Sequence, residues 1–256
     1  MRIVTHNAFW FQGAPFATDR PGPADPAILA ALAGVYRELA PDLLAVQEVQ
    51  DPGTFERLAE AIGLGGRHCP GGELVQYGGA MLSRAGRLVA DWRSAALRPQ
   101  RMWQIVDVPA GGGADLRVCS VHLPSARQLG GPAAQARRVE ELRAALAQAD
   151  GAAVVLGDFN EPPGGPVDEL LAGQGYVDAA VAAGQADRPT GPGGGRGDRV
   201  WICQPSGAEL IDYGVVDGRR LRAPMGPKEW LSDHFPAWVR LRVNAGGTGR
   251  RAGRGC

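Results

Sequence analysis

Ala152-Ala153-Val154-Val155-Leu156-Gly157-Asp158-Phe159-Asn160 is a run of small and apolar residues that stops at a glycine and then delivers an acid and an amide. Such a run reads as a buried strand leading into a turn. In extended chain, residues two apart share a face, so Asp158 and Asn160 reach one small volume while Phe159 points the other way, into packing. A carboxylate there accepts a proton or orients a water; a carboxamide donates to one oxygen while accepting from the same water. The competing reading is an Asx-turn that merely ends the strand. The rest of the chain decides between them.

Working outward, other apolar runs end the same way. Met1 to Asn7 alternates and closes on His6-Asn7, which face opposite ways, so at most one of the pair meets a site directly. Leu43-Leu44-Ala45-Val46-Gln47-Glu48-Val49 carries an acid near its exit, costly to bury without a partner. An arginine salt bridge would satisfy Glu48, but the repetition of the pattern favours a metal ligand. Leu116 to Leu123 brings up His122, followed by Pro124-Ser125. Asp198 opens a strand through Cys203, and Ser232-Asp233-His234 precedes the last strand, Phe235 to Val243. Six strand exits thus present Asn7, Glu48, His122, Asp158 with Asn160, Asp198, and Asp233 with His234. Oxygen-rich donors with two histidines and no cysteine suit Mg²⁺ or Mn²⁺ better than zinc.

The remaining segments supply scaffold. Asp25-Pro26 opens a helix with Ile28, Leu29, Leu32, Val35, Tyr36 and Leu39 at helical spacing. Phe55, Leu58, Ala59 and Ile62 outline a short second helix, and Val167 to Ala172 another. Gln135 to Gln148 is helical, with Val139, Leu142 and Leu146 inside and Arg137 and Arg138 solvated. Residues 78–84 and 88–92 read as paired strands around Ala85-Gly86, and Gly111 to Gly113 as a turn. Trp10 and Trp230 are candidate pocket walls. The glycine-rich loop from Pro189 to Gly197 carries Arg196 but matches neither a Walker loop nor a Rossmann turn.

Composition bounds the partners. The 256 residues hold 27 Lys+Arg against 27 Asp+Glu, for a net charge of +0, which argues against binding dominated by a nucleic-acid backbone. Mean hydropathy is -0.15, and no run reaches membrane-span length. Without a leader pattern, a cytoplasmic monomer is expected. Cys69, Cys119, Cys203 and Cys256 form no metal spacing; Cys119 and Cys203 read as free buried thiols in a reducing compartment. Residues 1–243 read as one domain, and 244–256, rich in Gly and Arg, as a flexible tail.

Thr5-His6-Asn7, Leu44 to Val49, Val121-His122-Leu123, Gly157-Asp158-Phe159-Asn160, Arg196-Gly197-Asp198-Arg199-Val200-Trp201 and Ser232-Asp233-His234-Phe235-Pro236 occur in the order of the endonuclease/exonuclease/phosphatase superfamily, which the chain resembles over residues 1–243. The resemblance implies a four-layer α/β sandwich of the DNase I type, two mixed sheets packed face to face with helices outside. It implies Glu48 as main ligand of Mg²⁺ or Mn²⁺, assisted by Asn7 and Asp233. Asp158 would orient and deprotonate water, Asn160 would bind phosphate and hold Asp158, and His234 would contact a phosphate oxygen with Asp198 fixing its ring. His122 would face the phosphate or leaving group, and Ser125 would add a polar contact; Arg196, Trp10 and Trp230 are the remaining substrate-binding candidates. Gly197 and Arg199 depart from the usual aliphatic and aromatic neighbours of the aspartate. The expected activity is hydrolysis of a phosphate mono- or diester on a small molecule, nucleotide or lipid headgroup. A DNA or RNA nuclease is the first alternative, and an inactive or non-hydrolytic binding member the second.

Overall fold

A computed structural model describes residues 1–15, 18–110, 115–223 and 227–243. The tail at 244–256 and the turn at 111–113 lie outside those residues. In chain order the elements are β1 (Arg2–Asn7), α1 (Pro26–Leu39), β2 (Leu43–Gln47), α2 (Pro52–Ile62), β3 (Gly65–Cys69), β4 (Gly79–Ser83), β5 (Arg87–Asp91), β6 (Met102–Pro109), β7 (Asp115–His122), α3 (Ala126–Leu129) and α4 (Gly131–Ala149). They continue with β8 (Val154–Asp158), α5 (Pro166–Gly173), β9 (Tyr176–Asp178), α6 (Ala179–Ala182), β10 (Asp198–Cys203), β11 (Ala208–Val215) and β12 (Ala237–Val243).

One sheet has the order β11-β12-β1-β2-β4-β3 and the other β5-β6-β7-β8-β10-β9. Each holds one parallel pair, β1 with β2 and β7 with β8, among antiparallel neighbours. The sheets pack face to face, β1 against β8 and β10, β4 against β6. Helix α1 covers the first sheet, where its Tyr36 meets His6; α4 lies on β6 and β7 of the second. This is the four-layer sandwich of two mixed sheets. Its interior strands are buried on both faces, which is why β2 and β8 read as unbroken apolar runs.

Local chemistry sets the element ends. Asp25 caps α1 by accepting from the Ala27 and Ile28 amides at 2.8 and 3.3 Å, and Asp51 does the same for α2 through the Thr54 amide at 2.8 Å. Gly157, at φ +136°, is required in β8: a Cβ there would lie 1.9 Å from the Val121 carbonyl oxygen of β7. Gly66 is likewise fixed, its Cβ position 2.3 Å from Met81 O. That close approach accounts for the glycine in β3, an edge strand whose sequence carries no strand pattern.

Four expectations need correction. Segments 78–84 and 88–92 are not a hairpin. β4 pairs with β2 and β3, whereas β5 pairs with β6 in the other sheet, so the turn where Gly86 N donates to Ser83 Oγ at 2.5 Å carries the chain between sheets. Turn residues alone do not say which sheet receives the next strand. Arg138 is buried rather than solvated, and Arg137 bridges Glu73, Glu140 and Glu141. Cys203 is disulfide-bonded, unlike the free Cys69 and Cys119, which removes the argument from unpaired thiols. Finally, Asp198 opens β10 and Asp233-His234 precede β12, so they stand at strand beginnings. Because β10 and β12 run antiparallel to β8 and β1, those beginnings fall at the same end of the sandwich as the exits of β1, β2, β7 and β8.

Candidate active site

The strand ends converge on Asp158. Its register partner in β10 is Asp198 and in β7 is His122. Asp158 Oδ2 accepts from Asn7 Nδ2 at 3.0 Å and Asn160 Nδ2 at 3.1 Å, and lies 3.4 Å from His122 Nε2 and 3.9 Å from His234 Nε2. Two left-handed residues complete this geometry. Strand alternation would send Glu48 away from Gln47, but its φ of 59° breaks the alternation, and its carboxylate accepts from Asn7 Nδ2 at 3.1 Å. Asn160, at φ 51°, closes an Asx-turn from its own amide to Asp158 Oδ1 at 2.9 Å. The two sequence readings of Asp-Phe-Asn therefore hold together: the turn itself returns the Asn160 amide to the acid. Phe159 packs in the core as expected.

His234 Nδ1 and Asp198 Oδ2 are 2.7 Å apart, bringing together residues 36 apart in sequence. Asp198 is wholly buried, whereas His234 reaches the surface. Burial works against an imidazolium, yet the charges of Asp198 and Asp158 outweigh it and raise His234 well above its ordinary pKa. Burial also favours a neutral Asp158, but the charge of His234 overrides it and holds this acid below the usual carboxylate range. The proton of the set therefore resides on His234. His6 props it from behind, its Nδ1 meeting Tyr36 Oη at 2.5 Å and its Nε2 the His234 carbonyl at 3.1 Å. Burial lowers the pKa of His6 to about 3, so it is neutral, bonding from one nitrogen and accepting at the other.

Glu48 is buried, and that burial pushes its carboxyl up to about 7 against the opposing charge of Arg101. Arg101 was not legible beforehand. It precedes β6 as an isolated charge between Gln100 and Met102, yet it is buried, 3.9 Å from Glu48 Oε1, bonded to His122 Nε2, and stacked 4.2 Å from the Tyr77 ring. An arginine only donates, so His122 Nε2 acts here as an acceptor. Burial, then Arg101, lowers His122 to about 4. Tyr77 was missed for a similar reason: a lone aromatic ahead of Gly78-Gly79 has no periodicity to flag it.

The site is rich in anions. Four carboxylates (Glu48, Asp158, Asp198, Asp233) face two cations, Arg101 and His234. Buried oxygens Glu48 Oε2, Asp233 Oδ1 and Asp198 Oδ1 have no hydrogen-bond partner, the condition a divalent cation would relieve. Asp158, Asp198 and His234 also present donor atoms within 4.8 Å of one another, but the 2.7 Å Asp198–His234 bond and the positive imidazole disfavour a cation between them. Glu48 and Asp233, whose unpartnered oxygens lie outside that bond, are the other candidate holders. Asn7 directs its NH₂ at Glu48 and Asp158, orienting both carboxylates, while its oxygen accepts from Phe9 N at 3.0 Å.

The other candidates lie outside this cluster. Trp10, in a turn where Phe9, Trp10 and Phe11 all have positive φ (49°, 51°, 57°), packs 4.9 Å from Tyr77 and donates to Gln76 O at 2.7 Å. It backs the wall that Tyr77 forms beside His122, whose ring is 5.9 Å away. Ser125 accepts from Arg127 N at 3.2 Å, capping α3. The Arg196 guanidinium is taken by Asp178 at 2.6 Å in the interior. Trp230 lies under Arg222, 3.8 Å from its ring, and beside Phe235.

Two packed mixed sheets with acids and histidines gathered at one end define a DNase I-like α/β sandwich. The chain belongs to the Endonuclease/Exonuclease/phosphatase family, whose sequence profile matches residues 4–234. Similar solved structures include an endonuclease/exonuclease/phosphatase from Beutenbergia cavernae, 21% identical, with TM-score 0.65 over 94% of this chain and 71% of that one. D. rerio TDP2 complexed with single strand DNA product is 15% identical, with TM-score 0.69 over 95% and 99%. A Bacteroides thetaiotaomicron mannosyl-6-phosphatase is 16% identical, with TM-score 0.65 over 94% and 99%. No curated protein matches the chain in sequence. Among the described residues no helix is long and apolar enough to cross a membrane.

Proposed function

We propose that the chain is a divalent-metal-dependent phosphoesterase acting on a small-molecule, nucleotide or lipid-headgroup phosphate, with Mg²⁺ or Mn²⁺ as the ion. The observation that carries this reading is an ionised Asp158 beside the imidazolium of His234, next to the unpartnered oxygens of Glu48 and Asp233. A divalent cation held by Glu48 and Asp233 would offset negative charge developing on the phosphoryl oxygens. Asp158 orients the attacking water; held so far below the usual range, it is a weak base, so orientation outweighs proton storage. Asn160, tied to Asp158 and to Leu123 O at 3.0 Å, keeps that acid in place. His234, with Nδ1 given to Asp198, turns Nε2 toward the phosphoryl group as a charged donor.

The substrate class rests on where the arginines go. Arg101, Arg138, Arg196 and Arg199 all lie close to the site in sequence or space, and all are buried in internal contacts. These four offer nothing to a nucleic-acid backbone, in keeping with the balanced net charge; the exposed Arg127, near Asp233, is a cation that a substrate phosphate could meet. One structural neighbour is named a mannosyl-6-phosphatase and another is complexed with DNA product, so the fold accommodates either class. A panel of phosphate mono- and diesters, plasmid DNA and RNA, assayed with Mg²⁺ or Mn²⁺ and an EDTA control, tests the proposal. Turnover of small esters abolished by EDTA is expected. Turnover confined to DNA or RNA would reverse the substrate assignment, and full activity in EDTA would end the metal reading.

A further inference from the structure

Arg138 lies on a helix face that sequence alone assigns to solvent, yet it is 5% exposed. Burying a guanidinium is costly unless its hydrogens and charge are taken up. Nη1 donates to two carbonyl oxygens, Pro124 O at 3.0 Å and Asn160 O at 2.9 Å. Nε lies 3.5 Å from Glu161 Oε1, and the other Glu161 oxygen accepts from Val167 N at 3.0 Å in the first turn of α5. The two carbonyls belong to different loops. Pro124 follows His122 at the end of β7; Asn160 follows Asp158 at the end of β8. Elsewhere these loops meet through Leu123 N to Asp158 O at 2.9 Å and Asn160 Nδ2 to Leu123 O at 3.0 Å. Asn160 also keeps a left-handed backbone, which asparagine adopts more readily than most residues and which its turn to Asp158 Oδ1 supports.

We infer that Arg138 is a positioning residue, a guanidinium clamp that locks the loop after β7 to the loop after β8 and so sets His122 against Asp158 and Asn160. The role asks for arginine specifically. A planar guanidinium sends two hydrogens from one nitrogen in fixed directions, toward two carbonyls from different loops, while its Nε edge faces a carboxylate. A lysine ammonium keeps the charge but not that geometry. The clamp rests on the phosphoesterase reading only for its kinetic consequence.

The test compares Arg138→Lys, which leaves a cation beside Glu161, with the double variant Arg138→Gln/Glu161→Gln, which leaves no buried charge alone if the lysine protein does not fold. Amide hydrogen exchange is measured on the metal-free full chain. Protection at Leu123 and Asn160 should fall roughly tenfold or more, while amides inside β10 keep their wild-type rates. On the best phosphate ester of the panel, kcat should fall roughly tenfold to a hundredfold with KM little changed, the pattern of misplaced reacting groups. Wild-type exchange at Leu123 and Asn160 would overturn the clamp, as would an equal loss across β10, which marks general destabilisation. If the wild-type chain hydrolyses no ester, the functional reading fails and the exchange data alone judge the clamp.

Discussion

Replacing Asp198 by asparagine keeps the shape of the buried pair and removes its charge. The Nδ1–Oδ2 distance of 2.7 Å and the complete burial of Asp198 make this a charge-assisted hydrogen bond shielded from water, worth about 1.5–3 kcal/mol. At about 1.4 kcal/mol per pH unit, His234 should titrate roughly one to two pH units lower. It will not lose its proton altogether, because Asp158 and Asp233 remain 3.9 and 3.8 Å from Nε2. The sign follows from the role. If His234 acts as imidazolium, activity is lost as pH rises through its pKa, so lowering that pKa moves the alkaline limb of the pH–rate profile toward neutrality. At neutral pH the loss should be roughly tenfold to a thousandfold, the range for one electrostatic or acid–base contributor. His234→Ala should cost at least as much, and the double variant less than the product of the two, since the residues act as one unit. NMR titration of the imidazole nitrogens in the metal-free protein reads the pKa independently of turnover. An unchanged His234 titration in Asp198→Asn would refute the electrostatic argument; a shifted titration with an unchanged rate profile would refute the assignment of His234 to the chemistry.

Glu48→Gln removes an acid whose burial pushes it up to about 7, so the metal-free protein should melt no lower than wild type while Mn²⁺ binding by calorimetry is lost; retained binding would move the metal elsewhere. Glu141 is also raised to about 7 by burial, despite accepting from Gln100 N at 2.7 Å and Arg137 Nε at 2.8 Å. Its folded pKa exceeds the ordinary 4.5, so its stabilising contribution is complete below pH 4.5 and fades as pH rises to 7. Urea unfolding of wild type against Glu141→Gln across that window should change the stability difference by up to about 3.5 kcal/mol, from 7 − 4.5 at about 1.4 kcal/mol per pH unit; a flat difference would show that Glu141 stays ionised. Gly157→Ala puts a methyl 1.9 Å from the Val121 carbonyl oxygen at φ +136°, so it should fail to give soluble folded protein, and a wild-type melting temperature would contradict the packing described for β8.

The layers and the central acids were legible because buried strands write themselves as apolar runs and because several such runs end in polar residues. The crossing from β4 to β5 was not, since the same turn chemistry serves a hairpin and a change of sheet. Nor were Arg101 and Arg138 readable as buried. An arginine in sequence carries no mark of the carbonyls, imidazole or carboxylates that folding places around it, and those partners come from Glu48, His122, Pro124, Asn160 and Glu161. Asn160 shows a subtler limit. Its alternation argument assumed extended chain, whereas the left-handed backbone reaches the same acid by a turn.

The place of β12 between β1 and β11 has a consequence for folding. The segment carrying Asp233 and His234 leads directly into this strand, which follows the other eleven described strands in the chain. Until it docks, Asn7, Glu48, His122 and Asp158 can gather but the imidazolium is missing, and β1 and β11 each expose an unsatisfied edge open to pairing with other chains. Insertion of β12 therefore brings His234 to Asp158 and covers the edges of β1 and β11 in a single event.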